Sequence, residues 1–154
     1  MRPARRSHYR TLRGFAALVE KEWFGFGHCF DTRGGRRGPA SKTSPVFEQF
    51  LDAVWQLTRQ APAAFEFGEE LLVALAAEAR RGAPPFRCDS AAERATIEPV
   101  AARTLWDSLR AHAFTRPIEV EGVLTPRTDA ASLGQWERLF RLAAMRRGES
   151  EYSI

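Results

Sequence analysis

The fold is constrained most by two long segments in which large apolar residues recur at helical spacing. The first segment runs from Gly14 to His28. Its apolar residues lie three or four positions apart and therefore share one face of a helix; they are Phe15, Leu18, Val19, Trp23 and Phe26. The second segment runs from Pro45 to about Gln60, after a Ser44 hydroxyl that suits a helix cap. Its apolar residues cover more than one narrow stripe, so we expect this helix to be buried on most sides.

Three further helices are predicted downstream. The segment FEFGEELLVALAAEARRG has acidic residues near its start, and it ends with two arginines and the stop residue Gly82. A short helix is expected over residues 104–112, and a last helix is expected to begin after Asp129 and close at residues 146–148. The residues expected to face inward from these two helices are Leu105, Trp106, Leu109, Leu133, Trp136, Phe140 and Ala143. Only residues 118–125 alternate as a strand would, so the predicted fold class is mainly α.

The composition supports one folded domain. The 154 residues are 44% hydrophobic and include four Trp and eleven Phe, which supply enough apolar side chains for a core. No stretch approaches the roughly 20 apolar residues that a membrane-spanning helix needs. The basic start MRPARRSHYR lacks the apolar run of a signal peptide. The two cysteines lie at neither metal nor disulfide spacing, so we expect a cytoplasmic chain without a metal or other cofactor.

The charge pattern favours anionic partners only weakly. The net charge is +4, and the basic residues are arginines except for Lys21, Lys42 and the histidines. Arginine binds phosphate well through paired N–H groups, but these residues are scattered, as on an ordinary solvated surface. A nucleic-acid binder would need a concentrated basic helix or an aromatic stacking platform. The sequence has neither pattern, and we expect no nucleic-acid partner.

Two long runs carry a resemblance to a known family. The run YRTLRGFAALVEKEWFGFGHCF spans Tyr9 to Phe30, and the run SPVFEQFLDAVWQLTRQAPAAFEF spans Ser44 to Phe67. Both are similar to segments of the myotubularin family of phosphoinositide phosphatases. Weaker similarity continues to Trp136, so the resemblance covers nearly the whole chain in order. It implies a mainly α fold that is the helical C-terminal portion of an α/β cysteine-phosphatase domain.

The resemblance also implies a division of the chain. Residues 1–8 are expected to form a basic N-terminal tail, residues 9–145 a partial phosphatase domain, and residues 146–154 a C-terminal tail. Within the domain, residues 31–43 are rich in Gly, Pro, Ser and Arg. No apolar residue is present to anchor this segment, so we expect a mobile loop.

The family's catalytic loop has the pattern His-Cys, five residues, Arg, and it lies just upstream of the Tyr-Arg-Thr helix. Backbone N–H groups stabilise its thiolate nucleophile, and its arginine braces the phosphoryl group. Nothing between Met1 and Tyr9 can serve as this loop, so we expect a truncated domain with no catalytic residue of its own. The segment CDSAAER, Cys88 to Arg94, has the Cys and Arg spacing. It lacks the preceding His, an interior Gly and the following Ser or Thr, and we do not assign it as catalytic.

The resemblance implies one phosphate-binding position. In the family, the basic residue directly after Gly-His and an arginine four positions later reach toward the substrate's phosphates. These positions are Cys29 and Arg33 in this chain, so the arginine is kept and the first basic residue is lost. We expect Arg33 to bind substrate phosphate, and the alternative is an ordinary solvated loop arginine. His28 is expected to be a helix-end residue satisfied by backbone carbonyls rather than a ligand or a base.

The family function implied is removal of the 3-phosphate from phosphatidylinositol 3-phosphate and 3,5-bisphosphate, with a phosphoinositide headgroup as the partner. The first hypothesis is a fragment of such a domain without activity of its own, cytoplasmic and peripheral on endosomal membranes. The alternative is a pseudophosphatase-like adaptor that pairs with an active myotubularin chain. An adaptor would expose apolar helix faces, and we would expect it to aggregate or to depend on its partner.

Overall fold

The computed structural model describes residues 8–97, 99–111, 115–120 and 122–145. The helices of these residues are α1 (Leu12–Val19), α2 (Phe30–Arg33), α3 (Val46–Gln60), α4 (Glu69–Arg81), α5 (Ala91–Thr96), α6 (Pro99–Arg110) and α7 (Glu137–Met145). Helix α1 continues without a break into π-helical turns over Glu20–Gly25. Short 3₁₀ turns cover His8–Arg10, Ala40–Lys42, Pro62–Ala64 and Pro84–Phe86. No strand occurs within the described residues, and the prediction of a mainly α fold is confirmed.

Parts of the predicted organisation lie outside the described residues. These are the C-terminal tail, the N-terminal tail before His8, the predicted end of the short helix at His112, and the predicted close of the last helix at residues 146–148. None of the described helices is both long and apolar enough to cross a membrane.

The first predicted helix is confirmed and begins two residues before Gly14. The Thr11 hydroxyl caps α1 by accepting a hydrogen bond from the Gly14 N–H at 2.9 Å. Phe15 is buried and Trp23 packs against the core, as predicted, but Phe26 is 76% exposed. In the π-helical turns each hydrogen bond spans five residues instead of four. The wider turn moves Phe26 away from the inward face that a regular helix would give it.

Helix α3 matches the second predicted helix in length but not in its cap or its burial. Pro45 is the N-cap residue and makes no capping hydrogen bond, while the Ser44 N–H donates to the Arg33 carbonyl at 3.0 Å. The buried residues of α3 are Phe47, Leu51 and Thr58. The expectation of burial on most sides is wrong, because the other large apolar residues of α3 are only partly buried and Val46 is exposed.

Helices α4 and α6 confirm two further predictions. Gly82 ends α4 in the left-handed conformation, with φ of 70°, which relieves the unpaired carbonyls of the last turn. Helix α6 begins at Pro99, earlier than predicted, and it buries Leu105 and Leu109 as predicted.

Helix α7 begins at Glu137, well after the predicted start near Asp129. Trp136 lies just before the helix and is buried, with its ring stacked on that of Trp55 at 5.6 Å. The residues predicted to face inward but found exposed are Leu133 (48%) and Phe140 (56%). Leu139 is buried and Leu142 is partly buried, so the side of α7 that carries these two residues faces the core.

A non-helical segment, residues 122–135, runs beside α3 and is called the strap. Two glutamines of α3 hold it through paired hydrogen bonds to its backbone. The Gln56 amide binds the N–H and carbonyl of Gly134 at 3.0 and 2.6 Å, and the Gln60 amide binds those of Arg127 at 2.8 and 3.0 Å. The strand predicted at 118–125 is wrong for the residues of it that the structure describes. The N–H groups of Glu119 and Val120 both donate to one carbonyl, that of Ala63, at 2.8 and 3.1 Å, which is not the pattern of a strand pair.

One part of the core is a cluster of aromatic rings contributed by separate elements. The Phe30 ring of α2 lies 5.2 Å from that of Phe47 in α3 and 5.1 Å from that of Phe86. Phe47 also meets the Trp23 ring edge-on at 4.8 Å. Offset and edge-on ring contacts of this kind add to the stabilisation that burial provides. They fix α2 against α3 and so position the residues that follow Gly27.

Candidate functional site

The two residues singled out by the sequence lie at the two ends of α2. Cys29 precedes α2 and is half-buried, and its side chain makes no capping hydrogen bond. Arg33 lies one helical turn later, and its N–H donates to the Cys29 carbonyl at 2.9 Å. The Arg33 guanidinium is exposed and donates to the Lys42 carbonyl at 3.1 Å. Within the described part of the chain, no carboxylate forms an ion pair with Arg33, so its charge is available to a ligand.

Arg33 lines a cavity of about 160 Å³ between α2, the start of α3 and the end of α4, which we call the basic cavity. Its other polar lining residues are His28, Arg36, Thr43, Ser44, Glu48 and Arg80. Glu48 pairs with Arg80 at 2.9 Å, so this carboxylate does not neutralise Arg33. The first turn of α3 has no side-chain cap, and the N-terminus of a helix favours negative charge. The basic cavity is therefore suited to an anion.

His28 lies edge-on to two aromatic rings, with centroids 4.9 Å from Trp23 and 4.6 Å from Phe30. Burial lowers the pKa of His28 below its ordinary value of 6.5, and the nearby Arg33 charge lowers it further. The ring is therefore neutral at pH 7. Its backbone N–H donates to the Trp23 carbonyl at 3.0 Å. The contacts of the His28 side chain described here are with aromatic rings, whereas the sequence predicted backbone carbonyls as its partners.

Arg36 anchors the segment between α2 and α3. Its Nε donates to Asp31 Oδ1 at 2.7 Å. Its other nitrogens donate to the carbonyls of Phe30, Ala79 and Phe86 at 3.2, 3.0 and 2.9 Å. Ala79 lies in the last turn of α4, where backbone carbonyls lack helical partners. The sequence predicted a mobile loop because no apolar residue anchors residues 31–43. The anchor in the structure is a polar side chain, which a pattern of apolar residues does not reveal, and the mobility stays a prediction.

A second polar cluster holds α2 against α5. Thr32 donates to Asp89 from both its N–H and its hydroxyl, each at 2.8 Å. Arg37 bridges Asp89 and Glu93 at 3.2 and 2.8 Å. Burial acts to raise the pKa of Asp89, but the bonds from Thr32 and the charge of Arg37 together hold it below its ordinary value. No cluster of three or more metal-ligating side chains occurs in the residues that the structure describes.

Cys88 is buried in surroundings that oppose its ionisation. Burial raises the pKa of the Cys88 thiol to about 11, although the Arg94 charge acts in the opposite direction. The thiol lies 3.7 Å from the Pro85 carbonyl oxygen. The Arg94 guanidinium pairs with Glu20 at 3.2 Å and lies 4.9 Å from the centre of the Phe24 ring. A nucleophilic thiolate requires a lowered pKa, and the shift at Cys88 is in the opposite direction.

The structure thus brings Arg33 and His28 together at one cavity and keeps Cys88 apart from its lining. Sequence reasoning missed the contributions of Thr43, Ser44 and Arg80 to that cavity. Ser44 was the one residue among these with a sequence signal, and that signal pointed to a helix cap. The other two carry no local motif, because their place in the lining follows from how α3 and α4 pack.

Comparisons with known proteins identify the family. The myotubularin-like phosphatase domain family matches residues 6–95. The chain is 38% identical over 141 residues to "Myotubularin" of Rattus norvegicus, which covers 83% of this chain and 23% of the rat protein. It is 39% identical over 139 residues to "Phosphatidylinositol-3,5-bisphosphate 3-phosphatase MTMR2" of Gallus gallus, which covers 84% of this chain and 24% of the chicken protein.

A shorter stretch of 71 residues, 44% of this chain, is 54% identical to the protein of the same name in Bos taurus, of which it covers 11%. The fold is thus the mainly α portion of a cysteine-phosphatase domain. The chain belongs to the myotubularin family, and the resemblance inferred from the sequence is confirmed. The chain spans about a quarter of the length of the two longest-matching relatives described above.

Proposed function

We propose that residues 9–145 form the helical part of a phosphoinositide 3-phosphatase domain, between a basic tail at 1–8 and a C-terminal tail at 146–154. The family reaction is removal of the 3-phosphate from phosphatidylinositol 3-phosphate and 3,5-bisphosphate. The name of the chicken relative states a 3-phosphatase activity on phosphatidylinositol 3,5-bisphosphate, which supports this substrate class. The chain contributes binding rather than catalysis by itself, and the raised pKa of Cys88 supports that division. Its place of action is the cytoplasmic side of endosomal membranes.

The observation that carries the proposal is the Arg33 guanidinium at the basic cavity, which no described carboxylate neutralises. A guanidinium makes strong, charge-assisted hydrogen bonds to phosphate oxygens. With His28 neutral and Cys29 in place of a basic residue, this part of the site presents one strong cation to the headgroup. Binding is therefore weaker than in a relative that keeps two basic residues at these positions.

The test is the affinity of the 154-residue chain for soluble inositol 1,3,5-trisphosphate, the headgroup of the bisphosphorylated lipid, measured by calorimetry. Replacing one charge-assisted hydrogen bond costs about 1.5–3 kcal/mol, so Arg33→Gln should weaken binding roughly tenfold or more. Cys29→Arg should strengthen it. Arg127→Gln is the matched control, because Arg127 is exposed on the strap and outside the cavity.

Equal affinities of the wild-type chain and Arg33→Gln would contradict the role of Arg33. A phosphate-release assay on the same lipid separates binding from catalysis. We expect no release by the chain alone, and release that is lost in Cys88→Ser would overturn the non-catalytic assignment.

A second candidate function, a pseudophosphatase-like adaptor, is supported by an apolar groove beside α1 and α3. The groove has a volume of about 440 Å³ and is lined mainly by apolar side chains, among them Phe15, Leu18, Phe50 and Val54. Arg10 is the charged residue in its described lining. Apolar surface of this kind on a folded chain commonly marks a protein contact.

The adaptor is tested by light scattering of the chain alone and after mixing with an active myotubularin. We expect self-association alone and a defined complex in the mixture, and Phe50→Asp should abolish the complex while Phe140→Asp does not. A monodisperse monomer that forms no complex would exclude the adaptor and leave the phosphoinositide-binding proposal intact.

A further inference from the structure

Phe26 is the most exposed large apolar side chain of the described residues, at 76%. It lies between Gly25 and Gly27, at the point where the π-helical turns end. Single exposed apolar residues are common on protein surfaces and need no explanation by themselves. Phe26 differs from these in how it is held and in what lies beside it.

The turn that carries Phe26 is fixed by backbone contacts. The Gly27 N–H donates to the Phe24 carbonyl at 3.1 Å, and the His28 N–H donates to the Trp23 carbonyl at 3.0 Å. Gly27 has φ of 74°, and a Cβ there would lie 2.5 Å from the backbone nitrogen of Ala91. Only glycine allows this close approach. The turn is therefore pressed against the start of α5, and Phe26 cannot relax into the core without breaking it.

Phe26 also lies next to the basic cavity. Its Cα lies at most about 7 Å from the Cα of His28, because the two residues are only two positions apart in the chain. His28 lines the cavity together with Arg33. Arg33 is an exposed cation of that lining, and its guanidinium donates to the backbone carbonyl of Lys42, a second exposed basic residue. An exposed aromatic ring thus lies beside exposed positive charge.

We propose that Phe26 inserts into the lipid bilayer when the basic cavity holds a phosphoinositide headgroup. The inference rests on the proposed phosphoinositide binding. Such a headgroup is tethered to the membrane surface, so a residue a few ångströms from its binding site meets the acyl chains. Anionic lipids complement Arg33 and Lys42, and an aromatic ring gains free energy on leaving water for the interface. A protein partner would also bury Phe26, but burial by a protein gives no role to the positive charge beside this residue.

The size of the effect follows from the area involved. Burying a whole Phe side chain is worth about 1.5–3 kcal/mol, which corresponds to roughly tenfold or more in affinity. Phe26→Ala should therefore weaken binding to vesicles of phosphatidylcholine with a few per cent of phosphatidylinositol 3,5-bisphosphate by about tenfold. It should leave the affinity for soluble inositol 1,3,5-trisphosphate unchanged, because that probe has no acyl chains.

The matched control is Phe140→Ala, which removes an exposed ring from α7. It should change neither affinity. Phe26→Trp gives a direct depth measurement, with the four native tryptophans of the wild-type chain as baseline. We expect the added emission to shift to the blue on vesicles and to be quenched by lipids brominated in the acyl chain.

The outcomes separate the insertion from the proposed function. Equal vesicle affinities of the wild-type chain and Phe26→Ala overturn the insertion, whereas loss of headgroup binding in Arg33→Gln still supports the function. An Arg33→Gln chain that binds both probes as well as wild type overturns the role of Arg33 alone, provided that Phe26→Ala still weakens vesicle binding. A wild-type chain that binds neither probe overturns both. If the added emission of Phe26→Trp responds to a myotubularin chain and not to vesicles, Phe26 belongs to a protein contact and insertion is overturned.

Discussion

Two neighbouring residues of α2 attach this short helix to the rest of the molecule in opposite ways. Phe30 packs into aromatic rings from α3 and from the 3₁₀ turn after α4. Asp31, the next residue, binds Arg36, whose other nitrogens reach backbone carbonyls. The aromatic contacts are non-directional and tolerate small shifts, whereas the polar contacts need every donor and acceptor in place. The aromatic side therefore contributes more stability, and the polar side sets where Arg33 lies.

The largest expected effect tests the aromatic side. Phe47 touches the rings of Trp23, Phe30 and Phe86 and is nearly fully buried. Phe47→Ala should lower the free energy of unfolding by about 3–5 kcal/mol, since it leaves a cavity among rigid rings. Denaturant titration followed by circular dichroism measures this. Phe140→Ala, on the exposed side of α7, should cost well under about 1 kcal/mol, and equal losses for the two variants would contradict the account.

The next effect tests the polar side. Arg36→Met keeps most of the side-chain volume but leaves Asp31 with only the more distant Arg37, at 3.7 Å, and leaves several carbonyls without donors. The pair of Arg36 and Asp31 is only slightly exposed, so we expect a loss of roughly 2–3 kcal/mol. The second change Asp31→Asn should recover part of that loss, because it removes a charge that has lost its nearer partner. Additive losses in the double variant would show that the two residues act independently, against the structure.

The smallest effect concerns His28, which lies between the two regions. Its pKa is lowered in the folded chain, mainly by burial and then by the Arg33 charge. A lowered histidine pKa means that the unfolded chain binds the proton more readily than the folded chain. The contribution of neutral His28 to stability is therefore complete above about pH 6.5 and is lost as the pH falls below that value. Arg33→Gln should raise the pKa of His28 part of the way back, measured from its ring protons by NMR. A His28 pKa that is unchanged or lower in this variant would contradict the contact; Arg127→Gln is the control.

The aromatic side could largely be predicted from the sequence, and the polar side could not. Residues such as Phe15 and Leu51 repeat with the period of the helix that buries them, so the period identifies both helix and face. Phe26 broke this rule because π-helical turns change the period after Val19. Arg36 follows no period, and its partners are carbonyls, which every residue carries.

The candidate site was predicted in part, from the family resemblance and not from the periodicity of apolar residues. Arg33 was identified through a resemblance between runs of residues, since its type and spacing alone do not distinguish it from the other arginines. Its role as a phosphate ligand stays a prediction. The walls that Thr43 and Arg80 add to the cavity could not be predicted, because they depend on the docking of α3 and α4.

The two glutamines of α3 have a consequence for how this chain can change during evolution. Gln56 and Gln60 bind backbone atoms of the strap. These bonds therefore do not depend on which side chains stand at positions 127 and 134, provided that the side chains fit. Gly134 is the constrained position, because a Cβ there would lie 3.0 Å from Arg59 Nε and 3.2 Å from the Trp55 ring. The strap can therefore accept many substitutions while it keeps its path, and homologous chains should diverge there faster than at the aromatic core.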